Sequence, residues 1–164
     1  MNTKDALKEL LTSTQSMMEM FLADLSDADL LVRPVPAANH IAWQLGHLIN
    51  SERKLATSQI PGAAYPELPA GFAEQHAKTT AAVDPPKGFG TKKEYLDLFK
   101  KVREATLTTL GKLSDADLDK KVSGPMAAYV ATLGAIFVMF GTHVMMHAGQ
   151  FTVLRRKLGK PVLF

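Results

Sequence analysis

The sequence predicts an all-α fold: a four-helix bundle with a long crossover connection between its second and third helices. Three observations predict it. Four segments repeat apolar residues every three to four positions, each bounded by capping or breaking residues. No segment alternates apolar and polar residues as a half-buried strand does. The breaks between the segments are unequal, and the middle one, at about thirty residues, far exceeds an ordinary helix–helix turn.

The first helix carries Leu7, Leu10, Leu11, Thr14, Met17, Met18, Phe21, Leu22 and Leu25 on one stripe, with Thr3 as its expected N-cap. It stops in "LSDADLLVRPVPAAN", where Pro34 and Pro36 exclude a continuous helix. Asn39 is the expected cap of the second helix, "HIAWQLGHLINSERKLATSQI", which turns Ile41, Leu45, Leu48 and Leu55 inward and ends at Pro61-Gly62. Residues 61–90 form the long connector, rich in Pro, Gly and Ala, with one helical turn expected around Phe72–His76. Lids and crossovers are the usual roles of so long a loop. Thr91 and Glu94 make a capping box for the third helix, continued by Tyr95, Leu98, Val102, Ala105, Thr109 and Leu110. After "LSDADLDKKVSGP", Thr132 caps a fourth helix running to Leu158, with Gly159 at C′ and Pro161 beyond it. "LSDADL" follows both the first and the third helix, either as a terminator used twice or as the trace of a duplicated helical hairpin.

At 164 residues, with 46% hydrophobic and 21% charged, the chain fits one globular domain over 1–164. It has no cysteine, which excludes disulfides, thiolate metal sites and a cysteine nucleophile. The net charge of +3 is modest, and "RRKLGK" near the end reads as cations at a helix C-terminus. A nucleic-acid partner is therefore not expected. "MNTKDALKELL" is too often interrupted by charge for a signal peptide. The apolar run Ala127–Gly141 falls short of the ~20 residues that span a bilayer. A cytoplasmic protein without a membrane partner is the expectation.

The chemistry lies in the histidines. His143 and His147 stand one turn apart on the face that also holds Ile136, Phe140, Gln150 and Leu154. Two imidazoles so placed are either satisfied core residues or two ligands of one metal ion. Val144 follows His143, so this is not the H-E-x-x-H of a zincin with its built-in base. A third ligand decides the matter. His76 lies in the connector, where a solvated position is expected, leaving His40 and His47 on the second helix. Position favours His47, two turns into the helix, over His40 beside the cap. Three further residues are candidates for the surroundings of such a site. Glu52 is a bundle-end salt bridge or a carboxylate that orients a ligand. Gln150 bonds a ligand or is a satisfied core amide, and Trp43 walls the pocket or packs between helices. The eight methionines read as core filling.

"NHIAWQLGHLINSE" and "TLGAIFVMFGTHVMMHAGQFTVLRRKLGKP" together resemble the DinB-like (YfiT-like) superfamily of small bacterial four-helix bundles, which is distinct from the polymerase of that name. The resemblance implies a divalent metal ion on His47, His143 and His147, with Gly149-Gln150 and Arg155 or Arg156 at the motif's remaining positions. Where relatives commonly carry a charged residue or a histidine before the final ligand, this chain has Met146. Zn, Ni, Fe and Co all suit imidazole ligands. The resemblance further implies a metal-dependent hydrolase or a thiol transferase, in which the metal activates a low-molecular-weight thiol for a small-molecule electrophile. The lack of cysteine agrees with a thiol supplied by the co-substrate. A non-catalytic, stress-response bundle that only binds a metal or small ligand is the alternative. Homodimers, common among relatives, are expected through apolar helix faces.

Overall fold

The computed structural model describes residues 1–163. Among them are six α-helices: α1 (Thr3–Leu22), α2 (Ile41–Gln59), α3 (Phe72–Gln75), α4 (Lys92–Lys112), α5 (Asp115–Leu118) and α6 (Leu133–Lys157). No strand forms among these residues, only an isolated bridge between Lys121 and Thr132. None of the helices is long and apolar enough to cross a membrane.

Most ends follow the local signals. Thr91 and Glu94 form the capping box of α4, Thr132 accepts from the Ala135 N–H to start α6, and Gly159 takes a left-handed φ of 67° after its end. Two caps differ from expectation by one residue. Asn2, not Thr3, caps α1, accepting from the Asp5 N–H at 2.9 Å. His40, not Asn39, caps α2 through Nδ1, which accepts from the Trp43 N–H at 3.2 Å. The Asn39 carbonyl instead accepts from the Gln44 side chain at 2.8 Å.

The four long helices form the bundle, with α1 packed against α4 and α6, and α2 packed against the same two. Directions follow from the contacts. Leu10 lies against Gly141 while Arg155 reaches the Phe21 carbonyl, so α1 and α6 run parallel. Gln44 meets His147 and His47 meets His143, so α2 and α6 are antiparallel. Lys4 donates to the carbonyls of Gly111 and Leu113, and Lys92 to those of Leu22, Ala23 and Leu25, so α1 and α4 are antiparallel as well. Helices α2 and α4 are therefore parallel neighbours, and the chain must travel back along the bundle, about 28 Å for the length of α2, before α4 begins. That is why the connector is long.

The two "LSDADL" copies are used alike. Ser26 with Asp29, and Ser114 with Asp117, each exchange side-chain and backbone bonds across one turn. Lys4 and Lys92 each place an ammonium on the orphan carbonyls ahead of the other's copy, where the helix dipole favours a cation.

The core divides into two apolar clusters. One surrounds Leu22, Leu45, Phe99 and Phe151, the other Leu11, Leu110, Phe137 and Phe140. Between them lies a buried polar layer of Thr14, Glu52, Arg103 and Thr106.

A candidate metal centre between two helices

The antiparallel pairing of α2 and α6 brings His47, His143 and His147 together. One ligand-capable nitrogen of each lies within 4.8 Å of the other two. The Nε2 atoms of His143 and His147 are 3.2 Å apart, and the His47 ring centroid is 5.2 and 5.5 Å from theirs. Nitrogens bound tetrahedrally at the usual zinc distance sit roughly 3.3 Å from one another. One pair already has that spacing, and the third ring faces both.

His147 is 4% exposed, while His143 and His47 are half-buried, so the trio opens toward the surface on one side. Burial, followed by the charge each would place on the others, lowers His143 to about 4 and His147 to about 3. His47 is lowered by burial and then by the Lys78 ammonium, with the His76 backbone opposing. All three are thus neutral at pH 7, with lone pairs available to a cation. No carboxylate contributes to these shifts, and Lys78 is the charged side chain that acts on the site.

Gln44 determines which nitrogen of His147 is free. Its amide N–H donates to the Asn39 carbonyl, so its Oε1 must face His147 Nδ1, 2.7 Å away. His147 therefore donates through Nδ1 and turns its Nε2 lone pair toward His143. Two such Nε2 atoms can be joined by a proton or by a cation. The donor set fits a divalent ion.

The other candidates fall as follows. Trp43 walls the site: its indole stacks on His47, with ring centroids 4.9 Å apart and planes 8° apart. Gln150 is exposed, and Gln44 holds the position by His147 instead. At 100° per residue Gln150 stands roughly 100° from the centre of the buried face of α6, and His143 already lies at its rim. Glu52 is neither at a bundle end nor turned to the histidines. It lies in the middle layer, accepting from Arg103 Nη2 at 2.8 Å and Thr106 Oγ1 at 2.6 Å. Arg155 is buried and binds the Phe21 and Pro161 carbonyls and Asp24, which ties the segment after α6 to the end of α1. His76 is 1% exposed, contrary to the solvated position expected of it, because the connector folds back onto α2. Gln44 was legible in principle, since an amide between Ile41 and Leu48 falls on the apolar stripe.

The comparisons with known proteins agree with this architecture. The sequence pattern of the DinB superfamily matches residues 10–151. No curated protein matches the chain significantly. Among solved structures, YfiT from Bacillus subtilis, described as a probable metal-dependent hydrolase with an unusual four-helix bundle topology, superposes with a TM-score of 0.67 at 17% identity, over 96% of this chain and 89% of that one. A conserved protein from Enterococcus faecalis superposes at 0.70 and 18%, over 98% and 99%.

Proposed function

The chain belongs to the DinB superfamily, and on that premise we propose that it is a metal-dependent enzyme of the transferase or hydrolase class, holding a divalent ion on His47, His143 and His147. The observation that carries the proposal is the convergence of three neutral imidazoles within 4.8 Å. Zn, Ni, Fe and Co remain equivalent choices for such a set. When bound, the ion keeps its full charge among neutral ligands and acts as a Lewis acid toward whatever occupies its remaining position.

The chain's own residues supply binding and orientation. Gln44 holds the proton at Nδ1 of His147, Trp43 fixes the plane of His47, and Lys78 adds positive charge beside it. Val144, Met145 and Met146 offer no acid or base between the two α6 ligands. A nucleophile is therefore best supplied from outside, and a low-molecular-weight thiol, which this cysteine-free chain cannot replace, is the reading we favour for the transferase. The description of the Bacillus relative supports hydrolysis as the other reaction. The same poverty of acid–base groups supports a second reading, a bundle that binds a metal or small ligand without turnover. The outer face of α6 carries no charged residue ahead of Arg156, and its exposed Val138, Met146 and Val153 support a homodimer.

Elemental mass spectrometry on untagged protein tests the site, with His47→Ala and His143→Ala alongside. About one equivalent of metal in the wild type, absent from both variants, is the expected result for a single three-histidine site. Thiols screened against electrophiles then separate the enzyme from the binder. Wild type that stays metal-free after incubation with all four metals would return the histidines to the core and end the proposal.

A further inference from the structure

The segment after α3 is joined to the histidine site by a contiguous set of contacts that a crossover does not require. His76 has both ring nitrogens engaged. Nδ1 donates to the Phe72 carbonyl at 2.7 Å, which leaves Nε2 to accept from the Tyr95 hydroxyl at 2.8 Å. The ring lies directly on Gly46, where an added Cβ would overlap it. Glycine is unfavourable inside a helix, and this close approach accounts for it in the position next to His47. One and four residues further, the Ala77 carbonyl and Thr80 Oγ1 accept from Trp43 Nε1 at 3.3 and 3.2 Å. Trp43 in turn lies flat against the His47 ring.

We propose that His76 is a positioning residue of the histidine site. Seated on Gly46 and pinned by Tyr95, it sets residues 72–80 against α2, and that segment holds Trp43 and, through it, the His47 ring. The connector is thus part of the site's support. Its effect on metal affinity rests on the reading above, whereas its effect on Trp43 does not.

Trp43 is the only tryptophan in the chain, so its fluorescence reports the stack with no metal present. The full, chelator-stripped chain is compared with His76→Ala, Tyr95→Phe and His76→Gln, the last keeping an amide for the Tyr95 hydroxyl. In His76→Ala the emission is expected to shift to the red and to become more open to acrylamide quenching, with helical circular dichroism unchanged. Zinc affinity, measured by competition with a chromophoric chelator, is expected to fall at least ~10-fold, as for other groups that orient a ligand. His76→Gln should recover most of both. Should His76→Ala not fold, Tyr95→Phe carries the same expectation at smaller size. Folded variants with wild-type emission and quenching overturn the proposal. A moved Trp43 with unchanged zinc affinity overturns its link to the site. Wild type that takes no zinc ends the metal reading, and the emission still decides this one.

Discussion

Helix α2 contributes to two buried polar clusters, built on opposite terms. Glu52 is met by a guanidinium and a hydroxyl, and that hydroxyl accepts from Tyr65 at 3.0 Å. Arg103, 0% exposed, also donates to the Leu11 carbonyl at 3.0 Å and lies over the Phe99 ring at 5.1 Å. Burial pushes the Glu52 carboxyl up, and Arg103 and Thr106 pull it back. That cluster is closed in charge: Glu52 and Arg103 cancel each other, and Arg103 Nε is left without a hydrogen-bond partner among the described residues. The histidine cluster carries no charge to cancel: Gln44 meets Nδ1 of His147, and the Nε2 atoms of His143 and His147 turn toward each other. A buried polar group that has found its complement holds the fold together, and lone pairs that converge without one mark a place for a ligand.

The sharpest way to break this comparison is to remove one member from each cluster. Arg103→Met or Glu52→Leu leaves an uncompensated buried charge and is expected to cost about 3–5 kcal/mol in urea unfolding. The double variant, Glu52→Leu with Arg103→Met, should return to near wild-type stability, because apolar residues of similar volume replace such a pair without large cost. His147→Leu, measured metal-free, should cost less, about 1–3 kcal/mol, since no charge is left buried and only Gln44 Oε1 loses its donor. It should nevertheless lose the metal. A His147→Leu variant as unstable as Arg103→Met would make the two clusters alike and remove the ground for reading one of them as a site.

Acid provides a second separation. The folded chain holds His40 and His143 at about 4 and His147 at about 3, and it lowers His47 and His76 too, with burial the leading cause in each. Unfolded histidine titrates near 6.5. Below that pH the unfolded chain therefore binds more protons than the folded one, so the histidines' contribution to stability falls as pH drops from about 6.5 toward 4 and below. For the buried rings of His40 and His147 the loss is on the order of 2 kcal/mol each by pH 5, and His76, His47 and His143 add to it in the same direction. Urea midpoints at pH 7, 6 and 5 measure it. Zinc should raise stability at each pH without making the profile above pH 6 shallower, because it holds ligands that the folded chain already keeps unprotonated there.

How much of this was legible in the sequence depends on how local each feature is. The capping box at Thr91 and Glu94, the Thr132 cap and the Gly159 stop need only neighbouring residues, and each was read correctly. Where two good caps adjoin, as Asn2 and Thr3 do, spacing alone does not choose. At α2 an unusual cap, His40, won because its Nδ1 can accept from the Trp43 N–H. The crossover was legible from length alone. Within the site, His143 and His147 share one helix and declared themselves by spacing, whereas His47 was preferred to His40 on its depth in the helix and on the family motif, and the pairing of α2 with α6 sets it beside them. The burial of His76 was not legible, because it depends on a notch at Gly46 in a different element. Glu52 was misplaced for a similar reason: its partner Arg103 lies on α4, where a sequence reading assigns arginine to the surface.

The smallest expected effect tests the finest distinction between the clusters, the neutral partner of His147. An amide orients the imidazole without adding charge, whereas a carboxylate in its place would raise the basicity of the ligand. Gln44→Leu should keep the bundle folded but release the His147 ring, lowering zinc affinity about tenfold, or ~1.4 kcal/mol. Gln44→Glu should hold the ring equally well and bind zinc at least as tightly as wild type. Its added negative charge should also weaken the site's attraction for an anionic ligand, read as a higher half-saturation for a thiolate in a competition titration. If Gln44→Leu and Gln44→Glu bind zinc like wild type, the Gln44–His147 bond belongs with the Glu52–Arg103 layer as an ordinary satisfied pair, and His147 needs no partner to orient it.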